Sequence, residues 1–219
     1  MPLLSSTSTY KVSVVCAKTA ETSSTVLIRS YRSRNVLNHI PATICEAARA
    51  TSAASSFFEP VKIGPRGRKF VDGGLGANNP VEQIWNEAQN EWCTGKSQEL
   101  ATFVKCVLSI GTGNPGIKPI AEGALKFFSE TLVNIATQTE ATAKIFAERH
   151  RLLYESKRMF RFNVEQGLQG VGLEEYKKDA LIETATSDYM DLPETKPAAQ
   201  QCATNLKTKE CRSIEEDFS

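Results

Sequence analysis

Hydrophobic residues follow two rhythms along this chain, and the changes from one to the other predict its elements. Residues 10–18 (YKVSVVCAK) and 25–31 (TVLIRSY) are short runs rich in β-branched side chains between Ser/Thr clusters, so both read as strands. Pro41 suits the first turn of a helix running to about Ala54. Ala42, Ala47, Ala48, Ala50, Ala53 and Ala54 dominate that helix, and small side chains let it lie close to a sheet. Phe57, Phe58 and Val61 to Ile63 then lead through the turn Gly64-Pro65-Arg66-Gly67 into a short strand ending at Asp72. Asn79 is the expected N-cap, and Pro80 the first residue, of a helix reaching about Trp92.

In the second half, residues 102–110 (TFVKCVLSI) are mostly apolar and stop at Gly111, the pattern of a buried parallel strand. Leu125, Phe128, Leu132, Ala136, Ala143, Phe146, His150 and Leu153 recur at helical spacing and predict one long helix over 124–154. A strand is expected over 157–164, where Phe160 and Phe162 alternate with Arg161. A helix is expected over 173–190, with Pro193 and Pro197 interrupting the residues beyond it. From residue 198 the chain is polar and weakly amphipathic. Strands alternating with helices imply an α/β domain with a largely parallel sheet flanked by helices. Ligands in such sheets sit beyond the carboxyl ends of the strands, which would bring Asp72 and the loop Gly111-Thr112-Gly113 to one rim.

Composition narrows the function classes. With 219 residues, 41% hydrophobic and 23% charged, the chain can bury a substantial core. A net charge of +1 gives no electrostatic case for nucleic acid. No apolar run approaches the roughly 20 residues that span a bilayer, and residues 1–10 lack the pattern of a secretory signal. Cys16, Cys45, Cys93, Cys106, Cys202 and Cys211 show no C-x-x-C spacing, and neither His39 nor His150 has a neighbour at ligand spacing. Free thiols in a reducing, cytoplasmic setting are therefore expected, rather than disulfides or a metal site.

The densest chemistry lies in residues 68–81, RKFVDGGLGANNPV. A short strand delivers Asp72 onto Gly73 and Gly74, one way to present a catalytic carboxylate. Asp-Gly between apolar runs is equally a hairpin signal. Against a hairpin, the residues after Gly74 do not alternate like a returning strand, and Asn78-Asn79-Pro80 begins a helix instead. Spacing alone leaves the catalytic and structural readings level.

Residues 68–81 resemble the aspartate motif of the patatin-like phospholipases, a family of lipid acyl hydrolases. The resemblance extends to residues 46–60 (EAARATSAASSFFEP) and 27–31 (LIRSY) upstream, and to Asn78-Asn79-Pro80 and 108–113 (LSIGTG) downstream. It implies a Ser/Asp dyad: a serine in a Gly-x-Ser-x-Gly elbow attacks an ester carbonyl, and Asp72 accepts its proton and returns it to the departing alcohol. A free carboxylate, with a pKa of about 3.9, is a weak base toward a hydroxyl near neutral pH. Positioning and partial desolvation make it serviceable. Gly73 and Gly74 would let the backbone pass close to the serine and adopt positive φ. The substrate implied is an acyl lipid or phospholipid, with peripheral membrane contact and no metal or organic cofactor.

The serine's own motif is missing. The sequence contains no Gly-x-Ser-x-Gly: Ser109 lacks the preceding glycine, Ser52, Ser55 and Ser56 lie without glycines, and no glycine-rich oxyanion loop precedes Asp72. In the family both elements come before the aspartate. The chain is therefore expected to be the C-terminal part of a patatin-like domain over 1–192, incomplete at its N-terminal side, with a polar tail over 193–219. Losing an oxyanion donor costs about 10²–10³ in rate, and losing a serine nucleophile costs on the order of 10⁶ where best dissected. The isolated chain should thus be inactive. The alternative is a non-catalytic interaction or regulatory module on the same scaffold. Removing leading strands should also leave a sheet edge or face uncovered.

Other signals are weaker. Residues 111–116 match Gly-x-Gly-x-x-Gly after a strand, with Glu130 at roughly the acidic spacing, but Ile117-Lys118-Pro119 does not open the helix that a dinucleotide needs. Arg29, Arg32, Arg34, Arg66, Arg68 and Lys69 could meet lipid headgroups, although such clusters are usually solvated faces. His150 reads as a boundary histidine, His39 as a loop residue, and Trp85 and Trp92 as core.

Overall fold

The computed structural model describes residues 14–33, 39–54, 57–93, 99–114, 138–169, 171 and 177–208. Between Leu100 and Ala101 the chain divides into two compact units.

The first unit is a sheet under an alanine-rich helix. Strands β1 (Val14–Thr19), β2 (Thr25–Arg29), β3 (Val61–Ile63) and β4 (Arg68–Asp72) pair in the order β2-β1-β4-β3. Every neighbouring pair is antiparallel, which corrects the expectation of a largely parallel main sheet. Connection length explains two of the three pairs. Residues 20–24 and 64–67 are too short for a parallel crossover, which needs a dozen or more residues. The β3–β4 turn uses Gly64 at φ 78° and Gly67 at φ 61°, so the hairpin lies there and not at Asp72-Gly73.

Helix α1 (Ile44–Thr51) covers one face of this sheet. It begins three residues after Pro41, where a capping box closes it: the Thr43 hydroxyl accepts the Glu46 N–H, and the Glu46 carboxylate accepts the Thr43 N–H. These bonds hold the Glu46 carboxyl below its ordinary range. Ala47 and Ala50 sit against Ala17, Ile28, Val61, Ile63 and Phe70, all buried in one cluster. Small helix residues facing larger strand residues permit this close packing, and burying a side chain such as Phe70 contributes about 1.5–3 kcal/mol.

After β4 come a helical turn, α2 (Gly74–Ala77), and helix α3 (Val81–Trp92). Pro80 is the N-cap rather than the first helical residue, and Asn79 lends its Oδ1 to the Val81 N–H at 3.4 Å. The buried positions of α3 are Val81, Glu87 and Glu91, whereas Trp85 is half-buried and Trp92 exposed. The tryptophans are therefore not the core of this helix.

In the second unit, α4 (Leu100–Phe103), which straddles the division, leads to β5 (Val107–Ile110); β5 pairs in parallel with β6 (Met159–Phe162). Residues 102–103, expected as strand, are helical, and Arg158 Nη1 donates to the carbonyls of Ala101 and Val104. Of the long helix expected over 124–154, residues 138–149 are helical, His150 departs from helical geometry, and α5 (Arg151–Glu155) follows. Residues 115–137 lie outside the described residues. Phe146 and Leu153 are fully buried, and the half-buried His150 ring packs 4.4 Å from that of Phe146. Helices α6 (Asp179–Met190) and α7 (Thr195–Lys207) complete the unit, so the segment read as a polar tail holds a helix with Pro197 in its first turn.

Candidate functional site

Asp72 ends β4 opposite Ala17 of β1, half-buried on the face that α1 covers. Its backbone is tied to the exit of α1 at two points. The Asp72 N–H donates to the Ala53 carbonyl at 3.0 Å, and the Gly73 N–H to the Thr51 carbonyl at 3.2 Å. The Thr51 hydroxyl in turn donates to the Cys16 carbonyl at 2.5 Å. Strand β1, helix α1 and the end of β4 thus meet around the aspartate through main-chain groups.

The two glycines are needed for reasons other than positive φ. Gly73 has φ −67° and ψ −24°, an ordinary helical conformation, so the expectation of a left-handed backbone there is corrected. What requires glycine is close approach: a Cβ on Gly73 would lie 2.2 Å from the Cys16 carbonyl oxygen. At Gly74 a Cβ would come within 3.1 Å of Asp72 Oδ1 and 3.4 Å of Asn78 Oδ1, a tight fit.

The Asp72 carboxylate takes one bond. Its Oδ1 accepts the Gly74 N–H at 2.7 Å, an Asx turn that opens the helical turn of α2. Oδ2 has no hydrogen-bond partner among the described residues. No described hydroxyl reaches the carboxylate. The Ser52 hydroxyl donates to the Ala48 carbonyl at 2.7 Å, and Ser109, on β5, accepts from Arg161 Nη1 at 3.0 Å. Ser55 and Ser56 lie outside the described residues. The aspartate is held as an acceptor with one oxygen engaged and the other open.

This unit holds a second polar centre that the sequence reading missed. Arg29, expected among the solvated cations, is half-buried and paired with the buried Glu87 of α3. Its Nε and Nη2 grip both carboxylate oxygens, the latter at 2.8 Å, and Tyr31 donates its hydroxyl to Glu87 Oε1 at 2.7 Å. Ser33 donates to Glu91 one turn further along α3. Burial, followed by the hydrogen bond to Glu87, pushes the Tyr31 hydroxyl above its ordinary range. Glu87 and Glu91 four apart, with Arg29, Tyr31 and Ser33 at alternate positions of an extended run, were the available signal. This cluster joins the end of β2 to α3. Among the other cations, Arg32, Arg66, Arg68 and Lys69 are exposed, and Arg34 lies outside the described residues.

The loop after β5 is engaged within the second unit. The N–H groups of Gly111, Gly113 and Asn114 donate to the Phe162 carbonyl, Asn163 Oδ1 and the Val164 carbonyl at 2.8, 2.8 and 2.7 Å. A phosphate cradle needs such N–H groups free, so residues 111–114 do not form one. Glu130 lies outside the described residues. Asp72 and this loop belong to different sheets, contrary to the single rim expected.

Among the described residues no group of three or more His, Cys, Asp or Glu side chains could hold a metal ion, and no helix is long and apolar enough to cross a membrane. No curated protein matches the chain. The resemblance extended over 1–192, as the C-terminal part of a family domain, is narrowed to the N-terminal part of this chain. Residues 7–85 match the patatin-like phospholipase family, and that span holds Asp72, Gly73 and Gly74.

Proposed function

We propose that residues 7–85 are the aspartate-bearing segment of a patatin-like lipid acyl hydrolase, with Asp72 as the base of a Ser/Asp dyad. The serine, in a Gly-x-Ser-x-Gly elbow, and the oxyanion donors, in a glycine-rich loop, come from segments outside these 219 residues. The observation that carries this reading is the family match over the span that contains Asp72-Gly73-Gly74. Further support is the open Oδ2 of a carboxylate fixed by main-chain bonds, since a base must sit within hydrogen-bond reach of the hydroxyl it deprotonates. The substrate class is an acyl ester of a lipid at a membrane surface, cleaved by water with no metal or organic cofactor.

A second reading has one observation in its favour. The Oδ1 bond to the Gly74 N–H is what a purely structural Asx turn would make, and it suits a non-catalytic module on the same scaffold.

Ester hydrolysis separates the two. The pure chain is expected to show no acyl-ester cleavage above background. Mixed with a polypeptide bearing the family's serine elbow, it should gain activity that Asp72→Asn abolishes. Cleavage by the chain alone, lost in Asp72→Asn, would overturn the missing nucleophile. Failure of the mixture to cleave, with both parts folded, would favour the non-catalytic module.

A further inference from the structure

Cys106 and Cys202 stand 96 positions apart in sequence, yet their Sγ atoms lie 3.7 Å apart in the second unit. Cys106 immediately precedes β5 and is half-buried; Cys202 lies on α7 and is buried at 4% exposure. Separate bonds fix the two carriers. Arg158 holds the carbonyls of Ala101 and Val104 ahead of Cys106, while Asn205 Nδ2 of α7 donates to the Lys157 carbonyl at 2.7 Å. A disulfide needs its sulfurs at about 2.05 Å, so closure calls for a displacement of under about 2 Å, within the range of side-chain rotation. No other pair of described cysteines shows a sulfur–sulfur contact.

The simplest alternative treats both thiols as small apolar fillers, a common role for buried cysteine. What sets this pair apart is its asymmetry: Cys106 is half-buried, and Cys202 beside it is buried. We propose that Cys106 and Cys202 form an oxidisable dithiol that closes to an intramolecular disulfide, joining the entry of β5 to α7, by exchange with a low-molecular-weight disulfide of the glutathione type.

The exchange balances in two steps. The Cys106 thiolate attacks the small disulfide, forming a mixed disulfide and releasing one small thiol. The Cys202 thiolate then attacks the Cys106 sulfur and expels the second small thiol. The protein loses two electrons and two protons, and one small disulfide becomes two thiols. Burial first, then the neighbouring Cys202, raises the Cys106 thiol to about 11. The resting Cys106 thiol is therefore protonated near neutral pH, and its attack on a disulfide is slow rather than spontaneous.

The test uses the full chain incubated folded with oxidised glutathione, quenched with an alkylating agent and mapped by mass without reduction. The expected product is a Cys106–Cys202 linked peptide in a monomeric protein about 2 Da lighter, reversed by dithiothreitol. Cys202→Ser should stop at a persistent glutathione adduct on Cys106, and Cys106→Ser should leave Cys202 unmodified. Should either variant fail to fold, the map of the unaltered chain decides alone. Full alkylation of both cysteines after oxidant treatment would overturn the proposal, as would adducts confined to Cys45 or Cys93.

Discussion

The two units cover their strands differently. In the first, α1 lies across the sheet, and Ala17, Ile28 and Phe70 beneath it have no exposed surface. In the second, β6 is buried at Met159 and Phe160, while its partner β5 leaves Leu108 and Ile110 at 40% and 73% exposure. The same strand alternation yields a closed layer in one case and a bare apolar row in the other. Covering a sheet face takes an element of matching shape, and an apolar strand by itself does not guarantee one. A lone two-stranded sheet is marginal in water, so the second unit leans on Phe146, Leu153 and the cluster of Val164, Leu168 and Ala185.

The largest expected effects come from emptying each core in turn. Phe70→Ala and Phe146→Ala should each cost about 3–5 kcal/mol. Amide exchange should accelerate chiefly within 14–93 for the first and within 138–208 for the second. Equal acceleration everywhere in either variant would mean that the units do not differ in how they are held.

Next is the ion pair that supports α3. Glu87→Ala leaves Arg29 and Tyr31 without their acceptor and should cost about 3 kcal/mol, read from the urea midpoint. Glu87→Gln retains an oxygen for Tyr31 and should cost less. A pH signature accompanies this pair. Tyr31 titrates higher in the fold than its ordinary value near 10, so its stabilising contribution is complete below that pH and is lost as pH rises through the folded value. Above pH 10 the unaltered chain should lose stability more steeply than Tyr31→Phe; parallel profiles would remove Tyr31 from the account.

The smallest effect sits on the outer face of the hairpin, where Lys62 lies directly opposite Lys69. Replacing like by opposite charge in Lys62→Glu should stabilise by about 0.2–1 kcal/mol, lessened by salt. No gain at low ionic strength would show that the two ammonium groups already avoid each other.

Much of the first unit is legible because its signals are local. The β3–β4 turn is written in Gly64 and Gly67 and the α1 packing face in its alanines, whereas the α1 cap of Thr43 and Glu46, equally local, is overlooked when Pro41 is taken as the helix start. Strand direction is misjudged when the alternation of element types is weighed above the five-residue link after β1, which by itself requires an antiparallel neighbour. The glycines point to Asp72, but they do not disclose the reason for Gly73, since the clash with the Cys16 carbonyl depends on a contact 57 positions away in sequence. Arg29 is misread for a similar cause: its partner Glu87 lies 58 residues on, and nothing local distinguishes a half-buried, ion-paired guanidinium from a solvated one.

The missing side chain at Gly73 sets how closely two segments of backbone lie beside the aspartate. With the Cys16 carbonyl packed against Gly73, and the Asp72 and Gly73 N–H groups bonded to the exit of α1, the backbone carrying the carboxylate is anchored to both β1 and α1. If Asp72 is the base proposed above, the serine hydroxyl has to be positioned to suit this anchored backbone.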